Sequence, residues 1–244
     1  VLPVKKKSYW SELGAVIKST KSKNYYALKY PAFYDITAPL QWYRMDKAKN
    51  FNEFKEALNM FGISMFNIVY ADRDDNIYYV SYGQIPYRND SLTKLPYINA
   101  NSSDVVWQRL HTLDELPHNE NPKDGYVFNT NNTPFQSDSK LNIAYKNASP
   151  SYVDKRPSNN NRALRIVEQM GEKEKISFED FQAIKFDNKY SKNTYLIKQM
   201  AYMFEMNPND FPEISDAITM IQAWDFEADS LDESAAMLLV AIDK

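Results

Sequence analysis

The feature that most constrains the fold is a change of pattern along the chain, from short aromatic-rich strands to a run of helices. Met65–Ala71 and Ile77–Tyr82 are rich in β-branched and aromatic residues, and the polar stretch Asp72–Asn76 separates them. Two such runs around a turn predict a β-hairpin. From Asn160 onward, apolar residues recur at helical spacing. Strands followed by helices predict an α+β fold, or a layered sandwich with a carboxy-terminal helical array.

Helices are also predicted within the strand-rich part, over residues 37–61. Thr37 is a possible cap of the first, and Asn50 is placed to cap the second. Short strands are predicted at residues 2–8, 14–19 and 24–30, and the mostly apolar run Met65–Ala71 predicts a strand buried on both faces. The sequence thus divides into a strand-rich part, 1–134, and a part of loop followed by helices, 135–244.

The helical part carries its own start signals. Ser177 followed by Glu179 and Asp180 is typical of a capping box. Further helices are predicted at residues 194–206, 212–224 and 231–243, whereas residues 135–158 are polar and loop-like.

Composition excludes several classes of function. The 244 residues contain no cysteine, which excludes thiolate catalysis and cysteine-based metal sites. The two histidines, His111 and His118, lack metal-ligand spacing and are predicted to be surface loop residues. The net charge of -3 argues against a nucleic-acid partner, and the five glycines form no phosphate-binding loop. No apolar run is long enough to predict a membrane span.

One stretch is a candidate for catalysis. Tyr126–Pro134 is predicted to be a strand, 126–131, that ends in a polar turn. An asparagine carboxamide at the end of a rigid strand can donate an N–H to an oxyanion. The alternative interpretation of these residues is the end of a hairpin with solvated asparagines.

Four groups of residues, taken in order, resemble the β subunit of the penicillin acylase family, which includes penicillin amidases, cephalosporin acylases and acyl-homoserine-lactone acylases. The resemblance covers roughly residues 10–235. The groups are Leu13-Gly14-Ala15-Val16-Ile17; the helix Lys47–Phe54; Tyr70–Ile77 with Gly83–Arg88; and Asn121-Pro122, Gly125-Tyr126, Asn131–Pro134 and Asn161–Ile166.

The resemblance implies an N-terminal-nucleophile (Ntn) hydrolase with an αββα sandwich. In this family a precursor is cleaved, and the first residue of the β subunit, usually Ser, attacks an amide with its own α-amine as the base. This chemistry requires neither His nor Cys. The substrate would be a small-molecule acyl amide, in a role such as antibiotic biosynthesis or quorum quenching, and the location would be periplasmic or secreted.

The resemblance also implies roles for individual residues. Asn131 matches the family's oxyanion-hole asparagine, and Arg162 matches the arginine that orients it. Trp42 and Phe66 match positions that line the acyl pocket. The alternatives are a solvated arginine at a helix start for Arg162, and ordinary core packing for the two aromatic residues.

The chain departs from the family pattern where the nucleophile should be, because Val1 is not Ser, Thr or Cys. We therefore expect a fragment that begins well inside the β subunit and is inactive alone. Its partners would be the α subunit and the amino-terminal part of the β subunit. Most ligands of the family's calcium would lie outside this chain, so no metal or cofactor is assigned. Leu13 replaces a motif His, while Asp75 and Tyr78 replace glycines.

Two other hypotheses remain open. One is a non-catalytic module that binds sugars or peptides through its aromatic-rich sheet. The other is a degenerate family member whose parent lacks the nucleophile. The amidase hypothesis requires Asn131 and Arg162 to lie close together at the open end of the strand 126–131, whereas the binding-module hypothesis places no constraint on them.

Overall fold

The computed structural model describes residues 7–31, 35–87, 95, 97–138, 160–229 and 232–242. These residues fall into two compact units that divide after Val127. The described strands all lie in the first unit, and the predicted boundary after residue 134 stays a prediction. Several predicted features lie outside the described residues: most of the strand at 2–8, residue Arg88 and the loop at 139–158.

A small antiparallel sheet begins the first unit. Its strands are β1 (Tyr9–Ser11), β2 (Gly14–Lys18) and β3 (Tyr25–Leu28), in that order. Gly14 has a φ of 110°, and a β-carbon there would lie 2.3 Å from the carbonyl oxygen of Leu28. The tight entry into β2 therefore requires glycine.

The two helices predicted within the strand-rich part are present. They are α1 (Ala38–Lys47) and α2 (Phe51–Leu58). The side chain of Asn50 caps α2 by accepting the backbone N–H of Glu53 at 3.0 Å, which confirms this cap. Thr37 occupies the N-cap position of α1 as predicted, but its side chain makes no hydrogen bond to the helix.

The predicted hairpin forms two strands of a second antiparallel sheet. This sheet has the order β4 (Met65–Ala71), β5 (Ile77–Gly83), β6 (His118–Glu120). The central strand β5 is largely buried. In contrast, the prediction that β4 is buried on both faces is wrong, because Phe66 is 54% exposed and Val69 is 49% exposed. Among the described residues β4 lies at the edge of its sheet, and the sequence of one strand does not show its place in a sheet.

A buried glutamine ties α1 to the core of the first unit. Gln41 is fully buried; its Nε2 donates to the hydroxyl of Tyr82 at 2.9 Å, and its Oε1 accepts the N–H of Ile63 at 2.9 Å. The surrounding core consists of buried apolar residues from α1, α2, β4, β5 and the following loop: Met45, Phe51, Phe54, Ala57, Leu58, Ile63, Ile68, Tyr78, Val80, Tyr82, Leu113 and Leu116.

The second unit contains the predicted helical array. The helices are α3 (Asn161–Gly171), α4 (Phe178–Lys185), α5 (Tyr195–Gln199), α6 (Ala201–Glu205), α7 (Ser215–Gln222) and α8 (Glu233–Ile242). The capping box of Ser177 and Asp180 is confirmed. The single helix predicted at residues 194–206 is instead two helices, because the backbone leaves helical geometry at Met200, with φ -98° and ψ 4°.

The helical array has its own core. Ile197, Met200, Ile221, Trp224, Ala235 and Leu238 form it. Sheets and helices thus occur as predicted, and the α+β class is confirmed. Within the described residues, no helix has the length and apolar character needed to cross a membrane.

Candidate functional site

Asn131 lies in a compact loop, residues 128–138, which we call the Asn131 loop. The predicted strand at 126–131 is not formed. Asparagine side-chain oxygens accept the backbone N–H groups that would otherwise donate to a neighbouring strand. The N–H of Asn131 donates to Oδ1 of Asn129 at 3.0 Å, and the N–H of Thr130 donates to Oδ1 of Asn132 at 2.9 Å. Asparagines compete with sheet pairing in this way.

Buried polar residues fix the shape of the Asn131 loop. Thr130 and Asn132 are both buried. Nδ2 of Asn132 donates to the carbonyl oxygens of Thr133 and Gln136, which closes the turn. Between these two buried residues, Asn131 has a φ of 59° and an exposed side chain. The loop therefore presents the Asn131 carboxamide from a rigid base.

Arg162 is placed at the start of α3, which is capped by Asn160. Oδ1 of Asn160 accepts the N–H of Ala163 at 2.9 Å. Nδ2 of Asn160 donates to the carbonyl oxygen of Thr130 at 2.8 Å. One side chain thus joins the beginning of the helix to the residue that precedes Asn131. Asn160 is the predicted start of the helical part, but its contact with the loop was not predicted.

The structure brings Asn131 and Arg162 into contact. Nη2 of Arg162 donates to Oδ1 of Asn131 at 3.1 Å. The proximity that the amidase hypothesis requires is therefore observed, although it occurs at a loop rather than at the end of a strand.

This contact sets the direction of the asparagine amide. A guanidinium carries only donors, so it must bind the oxygen of the carboxamide. The Nδ2 group then points away from Arg162, and it makes no hydrogen bond to any described residue. An exposed N–H donor backed by a positive charge is suited to bind an oxygen that acquires negative charge.

An ionic network around Arg165 and Glu168 also supports α3. Nε and Nη2 of Arg165 both bond to the carboxylate of Asp187 at 2.8 Å, and this pair raises the pKa of Arg165. Burial acts to raise the pKa of Glu168, but hydrogen bonds from Ser191, Asn193 and Arg165 together lower it. These bonds hold the helix that carries Arg162.

Trp42 and Phe66 lie in the first unit, on α1 and β4. Their rings meet edge to face with centroids 5.8 Å apart. Trp42 is 42% exposed and Phe66 is 54% exposed, so the alternative of ordinary core packing is wrong for both. They form an exposed aromatic pair that can contact an apolar group.

The two histidines form no metal site. His111 is only 5% exposed, so its prediction as a surface residue is wrong. Burial lowers its pKa, although Glu115 lies 3.3 Å away. His118 is half-buried in β6. No group of three or more His, Asp and Glu residues in the described part of the chain could hold a metal ion.

Comparisons with known proteins identify a family and a similar fold. The family model for penicillin amidase matches residues 3–242. Among solved structures, a penicillin G acylase from Alcaligenes faecalis matches with a TM-score of 0.70 and 23% sequence identity. The match covers 91% of this chain and 39% of that one, so this chain spans about two fifths of its length. At this identity the match shows a shared fold.

Proposed function

We propose a function from one premise, which is that the chain belongs to the penicillin amidase family. The full-length protein hydrolyses an amide bond between an acyl group and an amine. In this proposal Asn131 stabilises the oxyanion and Arg162 orients Asn131. The observation that carries it is the hydrogen bond from Arg162 to the oxygen of the Asn131 carboxamide.

The proposed chemistry follows from the direction of that amide. A nucleophilic hydroxyl attacks the substrate carbonyl carbon, its proton passes to an α-amine, and the carbonyl oxygen becomes an oxyanion. Nδ2 of Asn131 donates to this oxyanion. The tetrahedral intermediate then collapses, the amine leaves with the proton, and water hydrolyses the acyl-enzyme. Loss of one such donor costs about 3–4 kcal/mol of transition-state stabilisation.

The nucleophile in this proposal lies outside the present chain. By resemblance it is the first residue of a mature β subunit, usually Ser. The remaining α subunit and the amino-terminal part of the β subunit are then partners of this chain, and the 244 residues alone are inactive. The match to only 39% of the Alcaligenes faecalis acylase chain supports a longer parent.

The substrate proposal rests on the exposed aromatic pair. Trp42 and Phe66 would contact the acyl group, which favours an apolar or aromatic acyl chain. Periplasmic or secreted location, and a role in antibiotic biosynthesis or quorum quenching, are part of the same proposal.

A second candidate is a binding module that lacks catalysis. It is favoured by the exposed aromatics of the first sheet, where Trp10 is 56% exposed and Tyr25 is 53% exposed. Aromatic side chains on an open sheet can stack on sugars or peptide side chains.

Hydrolysis by the full-length protein separates the two candidates. The mature large subunit is sequenced from its amino terminus, and hydrolysis of an aromatic-acyl and a long-acyl amide is measured. We expect a free Ser, Thr or Cys, and a fall in turnover of about 100-fold or more with Asn131→Ala. The matched control is Asn59→Ala, another exposed asparagine. A precursor without such a residue and without hydrolysis would favour the binding module, whereas equal hydrolysis by Asn131→Ala and wild type would refute the role of Asn131.

A further inference from the structure

The geometry points to Asn160 as a positioning residue that sets the separation of Arg162 and Asn131. This inference rests on the proposed function, because the pair it positions is the proposed oxyanion site. Asn160 itself is not expected to touch the substrate, so its effect would pass entirely through its two neighbours.

The side chain of Asn160 uses both ends of its amide. Its oxygen accepts the N–H of Ala163 at 2.9 Å and so caps α3. Its nitrogen donates to the carbonyl oxygen of Thr130 at 2.8 Å. The Thr130 hydroxyl also lies 3.3 Å from the Asn160 oxygen. Thr130 directly precedes Asn131, and Arg162 lies two residues after Asn160. The Asn160 side chain therefore fixes the backbone next to Asn131 and the helix start next to Arg162.

The contact between Arg162 and Asn131 needs this support because the hydrogen bond between them is weak. Arg162 and Asn131 are both exposed, and one 3.1 Å hydrogen bond joins them. An exposed hydrogen bond between two side chains contributes little to stability, on the order of 1 kcal/mol or less. The Asn160 bridge is instead partly buried and joins the helix start to the loop backbone. It therefore fixes the distance over which the exposed bond forms.

Asparagine is required here for a reason that helix capping does not explain. Asp and Ser accept the N–H at a helix start about as well as Asn. Neither can donate an amide N–H to the Thr130 oxygen, and a carboxylate would repel it. Asn160→Asp and Asn160→Ser should therefore keep α3 capped while they release the Asn131 loop.

We would measure kcat and KM for amide hydrolysis, and the Tm, in the full-length protein. The variants are Asn160→Asp, Asn160→Ser and Asn131→Ala. Asn50→Asp and Asn50→Ser are matched controls, because Asn50 caps α2 with the same geometry, accepting the Glu53 N–H at 3.0 Å. Crystal structures of wild type and Asn160→Asp give the distance from Nη2 of Arg162 to Oδ1 of Asn131.

We expect both Asn160 variants to lower kcat about tenfold or more, because small displacements of catalytic groups have large effects on rate. KM should change less than about threefold, since the oxyanion exists only in the transition state. The Tm should fall by no more than about 4 °C, the effect of one hydrogen bond. The Asn50 variants should keep the wild-type kcat, and the contact between Arg162 and Asn131 should be lost in Asn160→Asp.

The outcomes separate this inference from the proposed function. If Asn131→Ala loses turnover while both Asn160 variants keep it, the positioning role is wrong and the proposed function stands. If Asn131→Ala has wild-type turnover, the proposed function fails, and the crystal structures alone decide the positioning role. An Arg162–Asn131 contact retained in Asn160→Asp overturns the inference whatever the activity.

Discussion

Replacing Gln41 by leucine tests the account of how α1 is held. Leucine has a similar volume but lacks the amide, so the two short buried hydrogen bonds of Gln41, both 2.9 Å long, are lost. The N–H of Ile63, a residue that is 2% exposed, loses its acceptor at 2.9 Å. The hydroxyl of Tyr82 loses a donor at 2.9 Å but still donates to the carbonyl oxygen of Leu58.

The expected destabilisation can be worked from these two losses. A buried backbone N–H without a partner costs about 1–3 kcal/mol, and loss of the bond to the hydroxyl removes about 0.5–1.5 kcal/mol. The apolar side chain of leucine offsets part of this. We therefore expect Gln41→Leu to lower the free energy of unfolding by about 2–3 kcal/mol. For a chain of this size that corresponds to a fall in Tm of roughly 4–12 °C.

Thermal and urea unfolding of wild type and Gln41→Leu would measure this change. Arg44→Gln is the matched control, because Arg44 is exposed on the same helix. Exposed substitutions of this kind change the free energy of unfolding by about 0.5 kcal/mol or less. The reasoning is refuted if Gln41→Leu is as stable as Arg44→Gln.

Three further predictions concern the site, the first sheet and the response to pH. Arg162→Lys should lower kcat of the full-length protein about tenfold, because the lysine ammonium does not occupy the position of the arginine Nη2 that donates to Asn131; an unchanged kcat would contradict this. Gly14→Ala should lower the free energy of unfolding by more than about 1 kcal/mol, because φ is 110° and the new β-carbon would lie 2.3 Å from a carbonyl oxygen of β3. Gly171→Ala is its control, since a β-carbon there meets nothing within 4 Å, and equal Tm values for the two variants would count against the argument. The hydrogen bonds from Arg109 lower the pKa of Glu115 from 4.5 to about 2, so its contribution to stability is present above pH 4.5 and is lost as the pH falls toward 2. Urea midpoints at about pH 7 and about pH 3 should therefore differ less in Glu115→Gln than in wild type, and an equal difference would show that this carboxylate does not couple stability to pH.

Local signals predicted the parts of the fold that depend on neighbouring residues. Asn50 and Ser177 were identified as caps because a helix start is encoded within about four residues. The hairpin of β4 and β5 was predicted for the same reason, since its turn lies between its strands. The burial of β4 was not predictable, because a strand becomes an edge only through the arrangement of the whole sheet.

The candidate site shows a different limit. The strand predicted at residues 126–131 failed because the amides of Asn129 and Asn132 bind the backbone donors, and pattern rules do not weigh such bonds. Asn131 and Arg162 are 31 residues apart in sequence. No periodicity connects them, so only the family resemblance paired them. The hydrogen bond from Asn160 to Thr130 joins two segments that are 30 residues apart in sequence, so no local pattern predicts it.

The most direct test of the central claim is the rate of acylation by the full-length protein, measured in a single turnover for wild type and Asn131→Ala. If Asn131 stabilises the oxyanion, the acylation rate constant falls about 100-fold or more. The dissociation constant of the substrate then stays within about threefold, because the ground-state carbonyl does not need this donor. An acylation rate equal to that of wild type would contradict the account, since the Asn131 amide that Arg162 orients would then have no part in the reaction.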